Sequence, residues 1–400
     1  MLTLDKIYDA ARVLKNNIRK TDLIYAPTIN EKSQVYLKAE NLQITGSFKV
    51  RGAYYKISQL SEEKKSKGII ACSAGNHAQG VALSAQKHGI KSAIFIPSTA
   101  PISKIEATRK YGAEIMLVDG VYDDAYNEAV KYQEETQGEF IHPFDDIDVI
   151  AGQGTIALEL IEQLNDMEAV IVPIGGGGLI SGVAYTIKML NPKCKVYGVQ
   201  AAGASSMYNS YNNHERLELS KVATFADGTA VKMPGVKTFE LCEKYVDEIV
   251  TVSEDEIASA ILTLIEKQKL IAEGAGALSV AAAMFNKVPI EGKKTVCLVS
   301  GGNIDVNILS RVINRGLMKD GRLSDITVEL LDKPGQLREV STIIASHGAN
   351  VVRVRHNQGG KGMEINECYL NVTLETKNEE HLEQIKKTFI EKGYKLLPTF

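Results

Sequence analysis

A lysine set between two glycines, in Gly46-Ser47-Phe48-Lys49-Val50-Arg51-Gly52-Ala53, is the place where residue types and spacing first point to chemistry. Phe48, Val50 and Ala53 around it would strip water from the ammonium, and desolvation lowers a lysine pKa. A neutral amine then serves as nucleophile or base. A lysine in so short a glycine motif is equally at home as a surface cation at a turn, so other stretches must decide.

Three stretches follow in order: Ser73-Ala74-Gly75-Asn76-His77-Ala78-Gln79-Gly80, Gly175-Gly176-Gly177-Gly178-Leu179 and Ser300-Gly301-Gly302-Asn303. Each ends an apolar run with small residues, as the ligand-facing loops of an open α/β sheet do at the carboxyl ends of strands. Gly175, Gly176, Gly177 and Gly178 lie between a strand and a helix starting near Leu179. Amides at a helix N-terminus bind anions, and glycine lets a phosphate approach the backbone. The same run also suits a flexible turn, whereas a dinucleotide site would need G-x-G-x-x-G after the first strand. Ser73 to His77 forms a second strand-to-helix join that could hold another anion. His77 by itself reads as a satisfied histidine with no acid-base role. Ser300 reads either as a cap of the Gly301-Gly302 turn or as a ligand contact.

Taken together and in this order, these residues resemble the fold-type II pyridoxal-phosphate enzymes, and among them the threonine dehydratases (threonine ammonia-lyases), over roughly residues 5 to 320. The resemblance implies pyridoxal 5'-phosphate as cofactor and Lys49 as the catalytic lysine that carries it and takes the substrate α-proton. It implies cofactor contacts from Phe48, Asn76, Gly175 to Leu179 and Ser300, with Asn76 at the phenolic oxygen. It implies binding of the substrate carboxylate by Ser73, Ala74, Gly75, Asn76 and His77. Phe48 would pack near the pyridine ring, or simply belong to a small apolar cluster. A neutral Ser300 beside the pyridine nitrogen makes a weaker electron sink than a carboxylate would, which favours prompt β-elimination.

Two features depart from the related serine racemases. Those enzymes carry a second serine after the Ser73 equivalent, where this chain has Ala74, and two acids that bind a divalent ion, where it has Gln200 and Ser206. Hard cations need oxygen ligands with charge, so no metal ligands are expected. The implied reaction is deamination of L-threonine to 2-oxobutanoate, with L-serine to pyruvate as a side activity. A serine racemase or threonine synthase of the same fold, or a silent amino-acid sensor, are the alternatives.

Placing these loops requires alternation of strands and helices. The spacing predicts a helix over 4–18, a strand over 35–40, a helix over 51–59, then strands 69–72, 93–97 and 114–118 alternating with helices 76–88, 102–111 and 122–137. A second alternation begins near Thr155, with helix 155–164, strand 169–174, helix 179–190, strand 196–200, helices 254–268 and 274–286, and strand 295–299. Such alternation means βαβ units and parallel sheets. The expected fold is α/β, tryptophan synthase β-like, with two open parallel-sheet subdomains in a catalytic domain over 1–322 and the smaller one, about 50–145, inserted in the larger.

Beyond Ser324 the order becomes strand 326–331, helix 336–346, strands 350–356 and 366–374, helix 378–391, strand 394–397, which is ferredoxin-like βαββαβ. Asp332 is expected to cap the first helix with Pro334 in its first turn, and Gly348 to supply the left-handed stop. Val328-Glu329-Leu330-Leu331-Asp332-Lys333-Pro334-Gly335-Gln336-Leu337, with Gly348-Ala349-Asn350-Val351, resembles an ACT domain over 325–400. That resemblance implies an amino-acid effector, isoleucine or valine, at Pro334, Gly335, Gln336, Leu337 and Asn350. The unit could instead only pair copies through its sheet edges.

Composition sets the bounds. The 400 residues are 44% apolar and 24% charged with net charge −3, an ordinary globular balance without a basic stripe, so neither nucleic acid nor an anionic membrane is an expected partner. The five cysteines stand far apart, without C-x-x-C, which fits a reducing compartment. The N-terminal residues lack a signal-peptide core, so the expected location is cytoplasmic. The exposed sheet edges of the C-terminal unit suit pairing with a copy of itself, and the expected assembly is a homodimer or homotetramer.

Overall fold

The computed structural model describes residues 1–358 and 364–398. Two compact units divide the chain between Val306 and Asn307, earlier than the expected join at 322–325. The helix Val306–Lys319, which the periodicity reading passed over, starts at that division. Among the described residues no helix is long and apolar enough to cross a membrane.

The first unit holds strands β1 Leu23–Tyr25, β2 Gln34–Ala39, β3 Ile69–Cys72, β4 Ser92–Pro97, β5 Glu114–Val118 and β6 Glu139–Phe140. After these come β7 Ala169–Pro173, β8 Lys195–Ala201, β9 Glu248–Val252 and β10 Lys294–Val299. They form one sheet in the order β1-β2-β10-β7-β8-β9 and another in the order β5-β4-β3-β6. Apart from the antiparallel β1–β2 edge, the pairings are parallel. The chain leaves the larger sheet after β2 and rejoins it at β7, so the smaller sheet is the inserted subdomain. β3, β4 and β7 are buried along their whole length, as continuous apolar runs covered by helices on both faces must be.

Helix boundaries differ from expectation where tertiary contacts outweigh local pattern. The helix carrying the lysine is Lys49–Ser58, beginning at the lysine itself. The helix expected from 155 runs Ile147–Gln163, started by Asp146, whose Oδ1 accepts from the amides of Asp148 at 2.8 Å and Val149 at 3.1 Å. Gly152 and Gly154 lie inside it, although glycine is unfavourable in a helix interior. In the fold they are close-approach points: a Cβ on Gly152 would lie 2.6 Å from the Gly52 Cα, and one on Gly182 would lie 2.6 Å from the Gly154 amide. The helix expected over 254–268 is α-helical over Glu254–Thr263 and ends in a π turn, Leu264–Gln268. The aperiodic stretch from 203 contains the helix Ser206–Asn213 and leads into Val236–Tyr245.

The second unit contains β11 Leu323–Leu331, β12 Asn350–Gln358, β13 Glu367–Glu375 and β14 Lys395–Leu397, antiparallel in the order β12-β13-β11-β14. With helices Gln336–Ser346 and Glu379–Glu391 this is the βαββαβ order. Val328, Val340, Ile344, Leu370, Ile385 and Phe389 build its core. Asp332 does not cap the first helix. That helix starts at Gln336, with Gly335 (φ +94°) at the N-cap position, too far along for the Asp332 carboxylate, which accepts from Gln358 Nε2 at 2.6 Å instead. Pro334 accordingly precedes the helix. Gly348, with φ +73°, follows the C-terminal cap as expected. All five cysteines are buried and unbridged.

Candidate active site

Strand pairing brings the lysine loop to the serine loop. β2 and β10 run parallel with Ala39 beside Val299, so the segments leaving their carboxyl ends continue side by side. Ser47 and Gly301 form an antiparallel bridge, the Phe48 amide donates to the Ser300 carbonyl at 3.1 Å, and the Gly302 amide donates to Gly46 O at 2.8 Å. Gly46 takes φ +70°, and a Cβ there would strike the Asn303 side chain. Helix Asn76–Lys87 packs so closely that a Cβ on Gly80 would touch the Lys49 backbone at 3.1 Å.

Lys49 projects from the first residue of its helix. Its Nζ donates to the Pro143 carbonyl at 2.9 Å and lies 5.4 Å from the centre of the Phe48 ring. Burial pulls the amine down to a pKa of about 8, against the opposing pull of Glu273. The desolvation inferred from the flanking apolar residues is therefore present, and a usable fraction of neutral amine exists near pH 7.

Opposite it, Ser73 to Gly75 lead from β3 into the helix at Asn76, and the Gly75 amide donates to Ser73 Oγ at 3.1 Å. Asn76 is gripped from both ends: Nδ2 donates to Glu273 Oε1 at 2.5 Å and Oδ1 accepts from Asn303 Nδ2 at 2.8 Å. His77 is buried, and its Nε2 bonds Ile141 O at 2.8 Å. Burial and the nearby Lys49 hold it down to a pKa of about 3, so the neutral ring donates, and its role is to fix the loop. Ala74 offers no proton carrier.

The four glycines lead from β7 to helix Gly178–Leu190, with Gly177 at φ +99° before its first turn. Cβ atoms on Gly176 or Gly178 would collide with Phe144, and one on Gly177 with Thr238. Thr238 Oγ1 donates to the Gly176 carbonyl at 2.6 Å, and the first amides of the helix that follows have no partner within the helix and could receive an anion. Leu179 is buried behind them. Ser300 is buried, its Oγ only 3.3 Å from Ala275 O. Gln200 and Ser206 are satisfied by neutral hydrogen bonds: Gln200 Oε1 accepts from the Tyr208 amide at 2.8 Å and Ser206 Oγ donates to Val231 O at 2.8 Å.

Two contributors escaped the sequence reading. Glu273, buried at the head of helix Gly274–Met284, has its amide on Gly301 O at 3.1 Å and its carboxylate on Asn76. Burial, then Asp227, push its pKa up to about 7. Its one local signal is that it is the single charged residue in Ile271-Ala272-Glu273-Gly274-Ala275-Gly276-Ala277. The segment His142 to Asp145 ties the site together: Pro143 receives Lys49, Phe144 lies on the glycines, and Asp145 Oδ1 accepts from the amides of Lys237 at 2.9 Å and Thr238 at 3.1 Å. No local pattern marks it, since its partners come from three distant elements.

The expected effector residues lie in the second unit. Pro334, Gly335 and Leu337 are exposed and Gln336 half-buried at the turn into the first helix, while the Asn350 amide donates to Glu375 Oε2 at 3.1 Å.

A two-sheet α/β unit with a desolvated lysine at the mouth of three strand-end loops defines a fold-type II pyridoxal-phosphate enzyme. Residues 14–302 match the family of pyridoxal-phosphate dependent enzymes, and the chain belongs to it. It is 51% identical over 398 residues to the L-threonine ammonia-lyase of Thermotoga maritima, covering 99% of each chain. Among solved structures it is similar to processed threonine deaminase isoform 2 from Solanum lycopersicum, with TM-score 0.74 and 38% identity over 78% of this chain and 92% of that one. Maize serine racemase gives TM-score 0.75 and 33% identity over 80% of this chain and 98% of that one.

The residues present fit the family's cofactor. Lys49 supplies an amine with lowered pKa, the run Gly175 to Leu179 supplies backbone donors for a phosphate where side chains are sterically barred, and Ser300 supplies a loosely held hydroxyl.

Proposed function

We propose that this protein is a threonine ammonia-lyase, converting L-threonine to 2-oxobutanoate and ammonia, with L-serine to pyruvate as a slower reaction. The observation that carries this reading is the asymmetry around the cofactor pocket: one desolvated amine at Lys49, and Ala74 where a racemase needs a second proton carrier. Bound pyridoxal phosphate supplies the electron sink that stabilises the pair left on Cα when its proton departs. The amides of the Ser73 to His77 loop bind the substrate carboxylate, which orients the Cα–H bond toward Lys49 Nζ. Lys49 Nζ takes that proton and is then the nearest acid for the departing β-hydroxyl. Asn76, braced by Glu273 and Asn303, would be the residue that meets the cofactor's phenolic oxygen, and Phe48 would pack near its pyridine ring. Loss of the hydroxyl as water is balanced by water that later releases ammonia, so threonine becomes 2-oxobutanoate and ammonia with no oxidant. Incubation with L-threonine should yield equal amounts of ammonia and 2-oxobutanoate. D-serine exceeding pyruvate from L-serine would overturn the lyase reading in favour of a racemase.

The domain over 325–400 is proposed to sense an amino acid, isoleucine or valine, through Pro334, Gly335, Gln336, Leu337 and Asn350, in a cytoplasmic homodimer or homotetramer. The exposed turn ahead of its first helix, with Gly335 at φ +94°, supports close approach of a ligand to the backbone. Couplings of about 1–3 kcal/mol predict a shift in half-saturation of roughly five-fold or more. A chain lacking 325–400 that responds to these amino acids as the full chain does would show the unit to be structural only.

A further inference from the structure

We propose that the second unit carries a metal site for zinc, or a divalent ion of similar softness, built from Asp332, His356 and Cys368. Strand pairing produces it. Cys368 of β13 stands opposite Leu330 of β11 on one side and Gln358 of β12 on the other. Asp332 follows Leu330 by two residues and His356 precedes Gln358 by two, and the pleat returns every second side chain to the same face. All three therefore emerge on the face that Cys368 shares with the core, at the end of the sheet.

One ligand atom from each lies within 4.8 Å of the others. Tetrahedral zinc with bonds of about 2.0–2.3 Å spaces its ligand atoms roughly 3.3–3.8 Å apart, so closure needs movements of about 1 Å. Cys368 is buried, while Asp332 and His356 are exposed, so the approach falls to these two surface side chains. Gln358 Nε2 donates to Asp332 Oδ2 at 2.6 Å, the outer contact that orients a ligating carboxylate and leaves Oδ1 for the ion. Carboxylate, thiolate and neutral imidazole balance a 2+ charge, and this donor set selects zinc over magnesium or calcium, which prefer oxygen alone. On binding, the metal–sulfur bond forms as the thiol S–H breaks and its proton passes to solvent. A fourth position is left on the exposed side for water.

The test uses the full-length, cofactor-loaded protein freed of metal by a chelator and titrated with Cd2+ as a sulfur-sensitive probe. One ion per chain should bind with a sulfur-to-cadmium charge-transfer band in the ultraviolet, and Zn2+ should displace it. The band should vanish in Cys368→Ser, and His356→Ala should weaken binding by at least about 10-fold, the least that losing even an outer partner costs. His356 is exposed, so that variant folds and decides the matter if Cys368→Ser does not. Absence of the band in the wild type, or unchanged binding in His356→Ala, would overturn the site.

Discussion

Lys49 and Arg51 lie two residues apart on one helix, and the fold treats their charges in opposite ways. Arg51 is fully buried, with Nε and Nη2 donating to Glu40 at 2.8 and 2.7 Å and Nη1 donating to Glu159 at 2.7 Å. Lys38 completes the cluster, donating to Glu159 at 2.6 Å, Thr21 O at 2.7 Å and Gln163 at 2.9 Å. Two cations meet two carboxylates there. Burial works against the Arg51 charge, but Glu40 overcomes it and holds the guanidinium firmly protonated. Lys49 has a carbonyl for its partner and a carboxyl, Glu273, whose pKa of about 7 leaves it only about half ionised at neutral pH. Desolvation alone therefore does not make a reactive amine. Desolvation with incomplete pairing does.

The sharpest test replaces the unpaired cation. Lys49→Ala should lower kcat/KM for L-threonine by about 10^4-fold or more, the upper range for a lost acid-base group, with folding intact by circular dichroism. Activity within ten-fold of wild type would erase the distinction between the two cations. Removing the paired one should do the reverse: Arg51→Met leaves Glu40 buried without its partner and should cost about 3–5 kcal/mol in urea unfolding. A loss below about 1 kcal/mol would mean that the cluster is better hydrated than its burial implies.

A pH series on the cofactor-free protein separates the two members of the reactive pair. Glu273 has a folded pKa of about 7, raised from 4.5, so the folded state holds the extra proton and stability falls as pH rises from about 4.5 to 7. Lys49 has a folded pKa of about 8, lowered from 10.5, so the unfolded state holds the extra proton and stability rises from about pH 8 to 10.5. Each span is of order 3 kcal/mol at most. Glu273→Gln should flatten the lower window and keep the upper slope, with its onset moved below about pH 8 because Glu273 no longer holds the Lys49 charge. Unfolding midpoints that keep the lower slope in that variant would assign it to another group. The smallest effect is expected from Ala74→Ser, which places a hydroxyl on the loop opposite Lys49. Chiral chromatography should then detect D-serine formed from L-serine, still well below pyruvate, and complete absence of D-serine would show that more than this hydroxyl separates lyase from racemase.

Much of the site was legible in the sequence because its parts are local. A strand end followed by Ser73-Ala74-Gly75, by four glycines or by Ser300-Gly301-Gly302 announces a backbone built for ligand approach, and the flanks of Lys49 announce desolvation. The βαββαβ order was legible for the same reason, since periodicity and turn residues are read over short windows. The C-terminal end of β11 misled that reading: Asp332 looks like a cap three residues too early, and only the pairing of β12 shows its carboxylate engaged by Gln358.

By itself, then, the sequence determined which segments become strands and strand-end loops, and which lysine loses its water. The tertiary structure decided what those loops face. Glu273 joins the site because Asn76, 197 positions away, reaches its carboxylate. Phe144 covers the glycines because those residues have no Cβ to hold it off, and helix Ile147–Gln163 persists through Gly152 and Gly154 because neighbouring backbones close against them. Propensity and pattern act over a few residues, whereas burial, pairing and close approach depend on partners that sequence distance does not reveal.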